Sequence, residues 1–76
     1  MVHISQVIPR ENYRLEVTLE NGSTLTVSLE SKLGTVRFGM LADQEFFRQV
    51  STDGNCIAWG KGIEISLNEV FQLARQ

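Results

Sequence analysis

The chain has 76 residues with one Cys and one His, so it is a single domain with neither an internal disulfide nor a Cys/His zinc site. Seven basic against nine acidic residues give a net charge of −2 with no basic run, which argues against sequence-independent binding to phosphate backbones. No apolar run approaches the ~18–20 residues that span a bilayer, and Met1-Val-His-Ile-Ser lacks the basic and apolar regions of a signal peptide, so a cytoplasmic location is expected.

Val2 to Ile8 is rich in β-branched residues and runs into Pro9, which reads as a strand with edge character at its end. The apolar alternation slips between Ile4 and Val7, and a bulge there would restore it. Pro9-Arg10-Glu11-Asn12 then reads as a turn. Tyr13 to Glu20 alternates, with Tyr13, Leu15, Val17 and Leu19 on one face. Thr24 to Glu30 alternates as well, with Leu25, Val27 and Leu29 apolar. Both read as half-buried antiparallel strands joined at Asn21-Gly22, a strong hairpin signal. A plain two-residue loop would put the two apolar sets on opposite faces. The expected register therefore faces Leu19 with Leu25 and Val17 with Val27, over a loop Asn21-Gly22-Ser23 or with a bulge at Ser23.

Ser31 to Ala42 carries Leu33, Val36, Phe38, Met40 and Leu41, interrupted by Gly34 and Gly39, and reads as one or two irregular helical turns over the sheet. Asp43 is placed to cap a short helix through Phe47, with Glu45 in its first turn and Phe46 or Phe47 pointing inward. Gln49 to Thr52 and Cys56 to Trp59 form a second hairpin around Asp53-Gly54-Asn55. Gly60-Lys61-Gly62 is a further turn, and Ile63 to Ile65 a brief extended piece. Ser66-Leu67-Asn68-Glu69 is a capping box. Leu67, Val70, Phe71 and Ala74 follow at i, i+3, i+4 and i+7, the apolar face of a C-terminal helix with Arg75 in its last turn. The class that results is α+β: a small antiparallel sheet of two hairpins plus an N-terminal strand, a short irregular middle helix and a C-terminal helix, in one domain over residues 1–76.

No catalytic, metal or cofactor signature can be assembled from the residues. Gly60-Lys61-Gly62 lacks the spacing of a phosphate loop and reads as a turn. Cys56 has His3 as its one possible base, far away in sequence, and reads as a small buried residue. Asp43, Glu45, Asp53, Glu64 and Glu69 are scattered singly, as caps and solvated charges are. Arg10, Arg14, Arg37 and Arg48 form a patch only if the fold gathers them, with Tyr13 and Phe38 near them in sequence. Trp59 reads as core, with a binding platform as the alternative. If a surface for a partner or ligand exists, Trp59, Lys61, Tyr13 and Phe38 are the residues to form it.

Taken together, Tyr13-x-Leu15-x-Val17-x-Leu19-x-Asn21-Gly22, Phe38-x-x-Leu41-x-Asp43-x-x-x-Phe47, Ile57-x-Trp59 before a glycine turn, and Glu64-Ile65 resemble the small bacterial domain-of-unknown-function family 2442 over nearly the whole length. The family commonly shows a Trp-Pro-Asn-Gly-type turn, where this chain has Trp59-Gly60-Lys61-Gly62 without the Pro. The resemblance implies a small α+β domain without established catalytic residues. In that family, some members are encoded beside another small protein in what resembles a toxin–antitoxin pair, and others carry the domain ahead of a helix-turn-helix unit. This chain runs to Gln76 without such a unit, so direct nucleic-acid binding is not expected.

Two readings of function follow. In the first, the chain is a non-catalytic protein-interaction domain, an antitoxin-like component of a two-protein module, whose partner is another protein or a second copy of itself. A core this small gives roughly 3–5 kcal/mol at most, and a partner chain is the support left open to it. In the second, it is a small-ligand-binding or enzymatic domain with a pocket near Trp59.

Overall fold

The computed structural model describes residues 2–60 and 62–74. The fold is α+β, and its strands divide into two three-stranded antiparallel sheets rather than one. β1 (Ile4–Arg10), β2 (Arg14–Leu19) and β3 (Thr24–Ser28) form the first, in the order β1-β2-β3. β4 (Ser51–Thr52), β5 (Cys56–Trp59) and β6 (Ile63–Ser66) form the second, in the order β4-β5-β6. Between them run two 3-10 turns, Glu30–Lys32 and Gly39–Ala42, and the single-turn helix α1 (Gln44–Phe47). The helix α2 (Leu67–Ala74) follows β6 directly and packs against β3 and β6, so it ties the two sheets together.

One apolar core is shared by both sheets. Leu15, Val17, Leu19 and Val27 come from the first, Ile57, Trp59, Ile63 and Ile65 from the second, and Leu29, Phe38, Leu41, Phe47 and Val70 from the connections and α2. The alternating strands supply these side chains because successive residues point to opposite faces.

The expected bulge lies in β1, where Ile4 pairs with Leu19 and Gln6 with Thr18, so Ser5 is the extra residue. The strand continues past Pro9 to Arg10, and the chain reverses in a 3-10 turn, Glu11–Tyr13. Tyr13 therefore belongs to the turn rather than to β2.

The β2–β3 register differs from the expected one by two residues. Val17 faces Leu25 and Leu15 faces Val27. The loop is Glu20-Asn21-Gly22: Gly22 N–H donates to the Leu19 carbonyl at 3.0 Å and Leu19 N–H to the Ser23 carbonyl at 2.8 Å. Gly22 sits at φ +90°, the left-handed position that closes a three-residue hairpin, which only glycine takes without strain. The Asn21 side chain accepts from Ser23 N–H at 2.9 Å and fixes the turn. Both apolar sets still share a face, because a two-residue offset preserves the alternation.

Asp43 caps α1 as expected, its carboxylate accepting from Glu45 N–H at 3.0 Å. Phe47 is buried and its neighbour Phe46 half-buried. Ser66 Oγ accepts from Glu69 N–H at 3.3 Å, one half of the capping box. The other half is replaced, because Arg37 engages the Glu69 carboxylate. On α2 the buried residue is Val70, flanked by half-buried Leu67, Leu73 and Ala74. Phe71 was expected on this face but lies at its rim, 36% exposed. The turn residue Lys61 and Arg75 lie outside the described residues.

Candidate functional site

A cleft of about 540 Å³ opens between the β1–β2 turn and α1. Pro9 to Tyr13 form one wall, and Gln44, Phe47 and Arg48 the other. Asn12 and Tyr13 both take left-handed backbone, φ 60° and 59°. Asn tolerates that region, whereas an aromatic residue there is an outlier costing of order 1–3 kcal/mol. Tertiary contacts hold it. The Tyr13 hydroxyl donates to the Ala42 carbonyl at 2.6 Å, and its ring meets Phe47 edge-on at 5.4 Å between centroids. Phe47 in turn stacks on Trp59 at 5.9 Å and 28°, so the cleft wall lies one ring away from Trp59.

Trp59 itself is fully buried, and its indole N–H donates to the Phe47 carbonyl at 2.8 Å. As core it anchors α1 to β5, and it offers no surface to a ligand. Gly60 follows with φ +53°, the left-handed region that favours glycine, and a Cβ there would stand 3.3 Å from the Phe46 ring, close enough that the ring would have to shift. Phe38 is buried as well, with the Arg37 guanidinium 4.8 Å above its ring. Of the four residues expected to form a surface, Tyr13 alone lines the cleft; Trp59 and Phe38 are core, and Lys61 lies outside the described residues.

The arginines are divided. Arg10 and Arg48 line the cleft, where Arg10 pairs with Glu16 at 3.2 Å. The Arg48 side chain makes no hydrogen bond or ion pair among the described residues. Arg14 Nε donates to the Glu11 carbonyl. Arg37 lies in a second groove of about 350 Å³ with Lys32, Phe38 and Glu69. It bonds both oxygens of Glu69, at 2.7 and 2.9 Å, and the Glu64 carbonyl at 2.7 Å. That fork holds the Glu69 carboxyl below the usual carboxylate range and raises Arg37 in return.

The remaining candidates have structural partners. Asp53 accepts from the amides of Asn55 and Cys56 at 2.9 and 3.0 Å, which lowers its pKa. His3 Nδ1 meets Asn55 Oδ1 at 2.9 Å. Partial burial, then the nearby Glu64, push the Cys56 thiol upward, away from the thiolate a nucleophile needs.

The sheet edges differ in a way that matters for binding. Leu19 N–H bonds Ser23 and Leu29 N–H bonds Tyr13, so the odd-numbered residues of β3 face β2. The backbone groups of Thr24, Thr26 and Ser28 therefore point outward, and among the described residues none has a hydrogen-bond partner. By the same alternation Pro9 points outward on β1, where its missing N–H leaves nothing to donate. The start of β1 is bulged and its Ile4 amide is bonded to Gly54 at 2.8 Å. At β6, Arg37 covers Glu64. Neither Asn12, Gln44 nor the β3 edge was singled out in the sequence. The signals were there: an Asn with its tolerance of left-handed backbone, and hydroxyl residues alternating outward without Lys or Pro.

The family model described as Protein of unknown function (DUF2442) matches residues 4–76. The chain belongs to this family. No curated protein and no solved structure matches it. In this DUF2442 chain the Tyr13–Phe47–Trp59 ring contacts and the Asp43 cap hold the fold together. Among the described residues of this DUF2442 chain, no helix is long and apolar enough to cross a membrane.

Proposed function

We propose that this protein is a non-catalytic interaction domain, an antitoxin-like component of a two-protein module, that binds another chain, either a protein partner or a second copy of itself, by strand addition at the outer edge of β3. The observation that supports the reading is the asymmetry of the edges: β1 is guarded by Pro9 and a bulge, whereas β3 presents three outward residues whose backbone groups have no partner among the described residues. The antitoxin-like part rests on the family resemblance. Co-purification of the chain with the product of the neighbouring gene tests both. Retention with wild type and its loss with Thr26→Pro supports the reading, because that substitution removes an outward donor and no β2–β3 bond. A partner held equally by both would overturn the β3 assignment.

A second reading follows from Arg48, whose guanidinium has no partner among the described residues and which lines the 540 Å³ cleft together with Phe47. That combination suits a small carboxylate or phosphate compound. Amide shifts of Asn12, Tyr13 and Gln44 on titration with phosphate or acetate, abolished by Arg48→Gln, would favour it.

A further inference from the structure

We infer that the chain occupying the β3 edge is a second copy of this protein, paired antiparallel to the first about a two-fold axis at Thr26. The inference rests on the reading of β3 as the binding edge and names its partner.

Three features of the strand carry it. Its outward backbone groups belong to Thr24, Thr26 and Ser28. Antiparallel pairing about Thr26 sets Thr24 against the partner's Ser28 and Thr26 against the partner's Thr26, each pair exchanging both N–H···O=C bonds. These side chains are exposed hydroxyls of similar size, and such cross-strand pairs are favourable. No charge meets its like within the strand. On the core side the same register sets half-buried Leu25 opposite the partner's Val27, which is already fully buried in its own copy, so the outward hydrogen bonds and hydroxyl pairs carry the pairing.

The edge asymmetry decides what kind of assembly results. A strand joining β3 of one copy to β1 of the next would propagate into a filament. Pro9, the bulge at Ser5 and the bond from Ile4 to Gly54 block that route. Pairing β3 with β3 uses both open edges at once and closes, giving a continuous six-stranded sheet in the order β1-β2-β3 and its symmetric counterpart.

Sedimentation of the full chain across concentration, with crosslinking, tests this. The expected result is a monomer–dimer equilibrium that Thr26→Pro weakens by about tenfold or more through loss of the outward amide. Thr26→Lys, whose side chain stays exposed and spares the fold, should weaken it as well by placing like charges on the axis. Thr26→Cys in a Cys56→Ser background should crosslink to a covalent dimer under mild oxidation, because directly bonded antiparallel residues lie about 5.5 Å apart at Cα. Ser5→Cys in the same background should not. A monomer at every concentration overturns the inference. If that monomer still binds the neighbouring gene product in a manner sensitive to Thr26→Pro, the β3 reading stands and the second copy is excluded. A dimer indifferent to Thr26→Lys and uncrosslinked by Thr26→Cys overturns its placement on β3.

Discussion

Tyr13, Phe47 and Trp59 form a line of rings from the cleft to the centre of the core, and each carries a bond that its neighbours need. Trp59→Phe keeps most of the apolar area but leaves the Phe47 carbonyl without its buried donor, which should cost about 1–3 kcal/mol. Tyr13→Phe loses only the bond to Ala42 and should cost about 0.5–1.5 kcal/mol. Urea denaturation of the two variants checks the order. Native emission of Trp59 should be blue-shifted and resistant to acrylamide. Red-shifted, freely quenched emission would contradict the packing. The burial of Trp59 was legible because an Ile-x-Trp period in so short a chain has few alternatives to the core. The strain at Tyr13 was not legible: the residue alternates in step with Leu15 and Val17, and only contacts with Ala42 and Phe47, some thirty positions away, take it out of the strand.

Among the elements, alternation determined which residues share a face but not the offset between strands. A period of two fixes parity alone, so the β2–β3 register was open by two residues until the loop geometry at Gly22 resolved it. On α2 the spacing of Leu67, Val70, Phe71 and Ala74 pointed to a stripe centred between Val70 and Phe71. In an eight-residue helix a small rotation suffices to bring Leu73 in and leave Phe71 at the rim. Phe71→Ala should therefore cost under about 1 kcal/mol, whereas Val70→Ala should cost about 1.5–3 kcal/mol for a fully buried side chain. Comparable losses for both would place Phe71 in the core after all. The fork between Arg37 and Glu69 fastens α2 to the middle segment. Because Glu69 titrates lower in the folded chain than the ordinary value of about 4.3, its contribution is full above that value and disappears as pH falls through the lower folded one. Both side chains are partly exposed, so the effect is about 0–1 kcal/mol. Thermal melts of wild type and Glu69→Gln should converge as the solution is acidified. A gap that stays constant down to pH 3 would refute the linkage.

The molecule as a whole has two sheets, each built from strands consecutive in sequence, and one core between them. Each hairpin could be read locally, but whether the hairpins joined into one sheet depended on contacts over long separations, which no local pattern encodes. The cleft was hidden for the same reason, since its walls at Pro9–Tyr13 and Gln44–Arg48 are separate in sequence. Phe47 packs between Tyr13 of the β1–β2 turn and Trp59 of β5, so Phe47→Ala should cost roughly 3–5 kcal/mol and loosen both sheets together. Hydrogen exchange that protects one sheet while the other opens would show instead that they unfold separately.

That contiguity also means the chain can be severed without dividing a sheet. Beyond Lys32 the backbone runs out to Val36, which is fully exposed at 103%. Trypsin acting after Lys32 would leave β1, β2 and β3 on one fragment and β4, β5, β6 and both helices on the other. The fragments would hold each other only through side chains of the common core and the few bonds that cross it, such as Ile4 to Gly54. Produced separately, they form a complementation pair: neither should show blue-shifted emission alone, and mixing should restore it with a concentration dependence that measures the affinity of one sheet for the other.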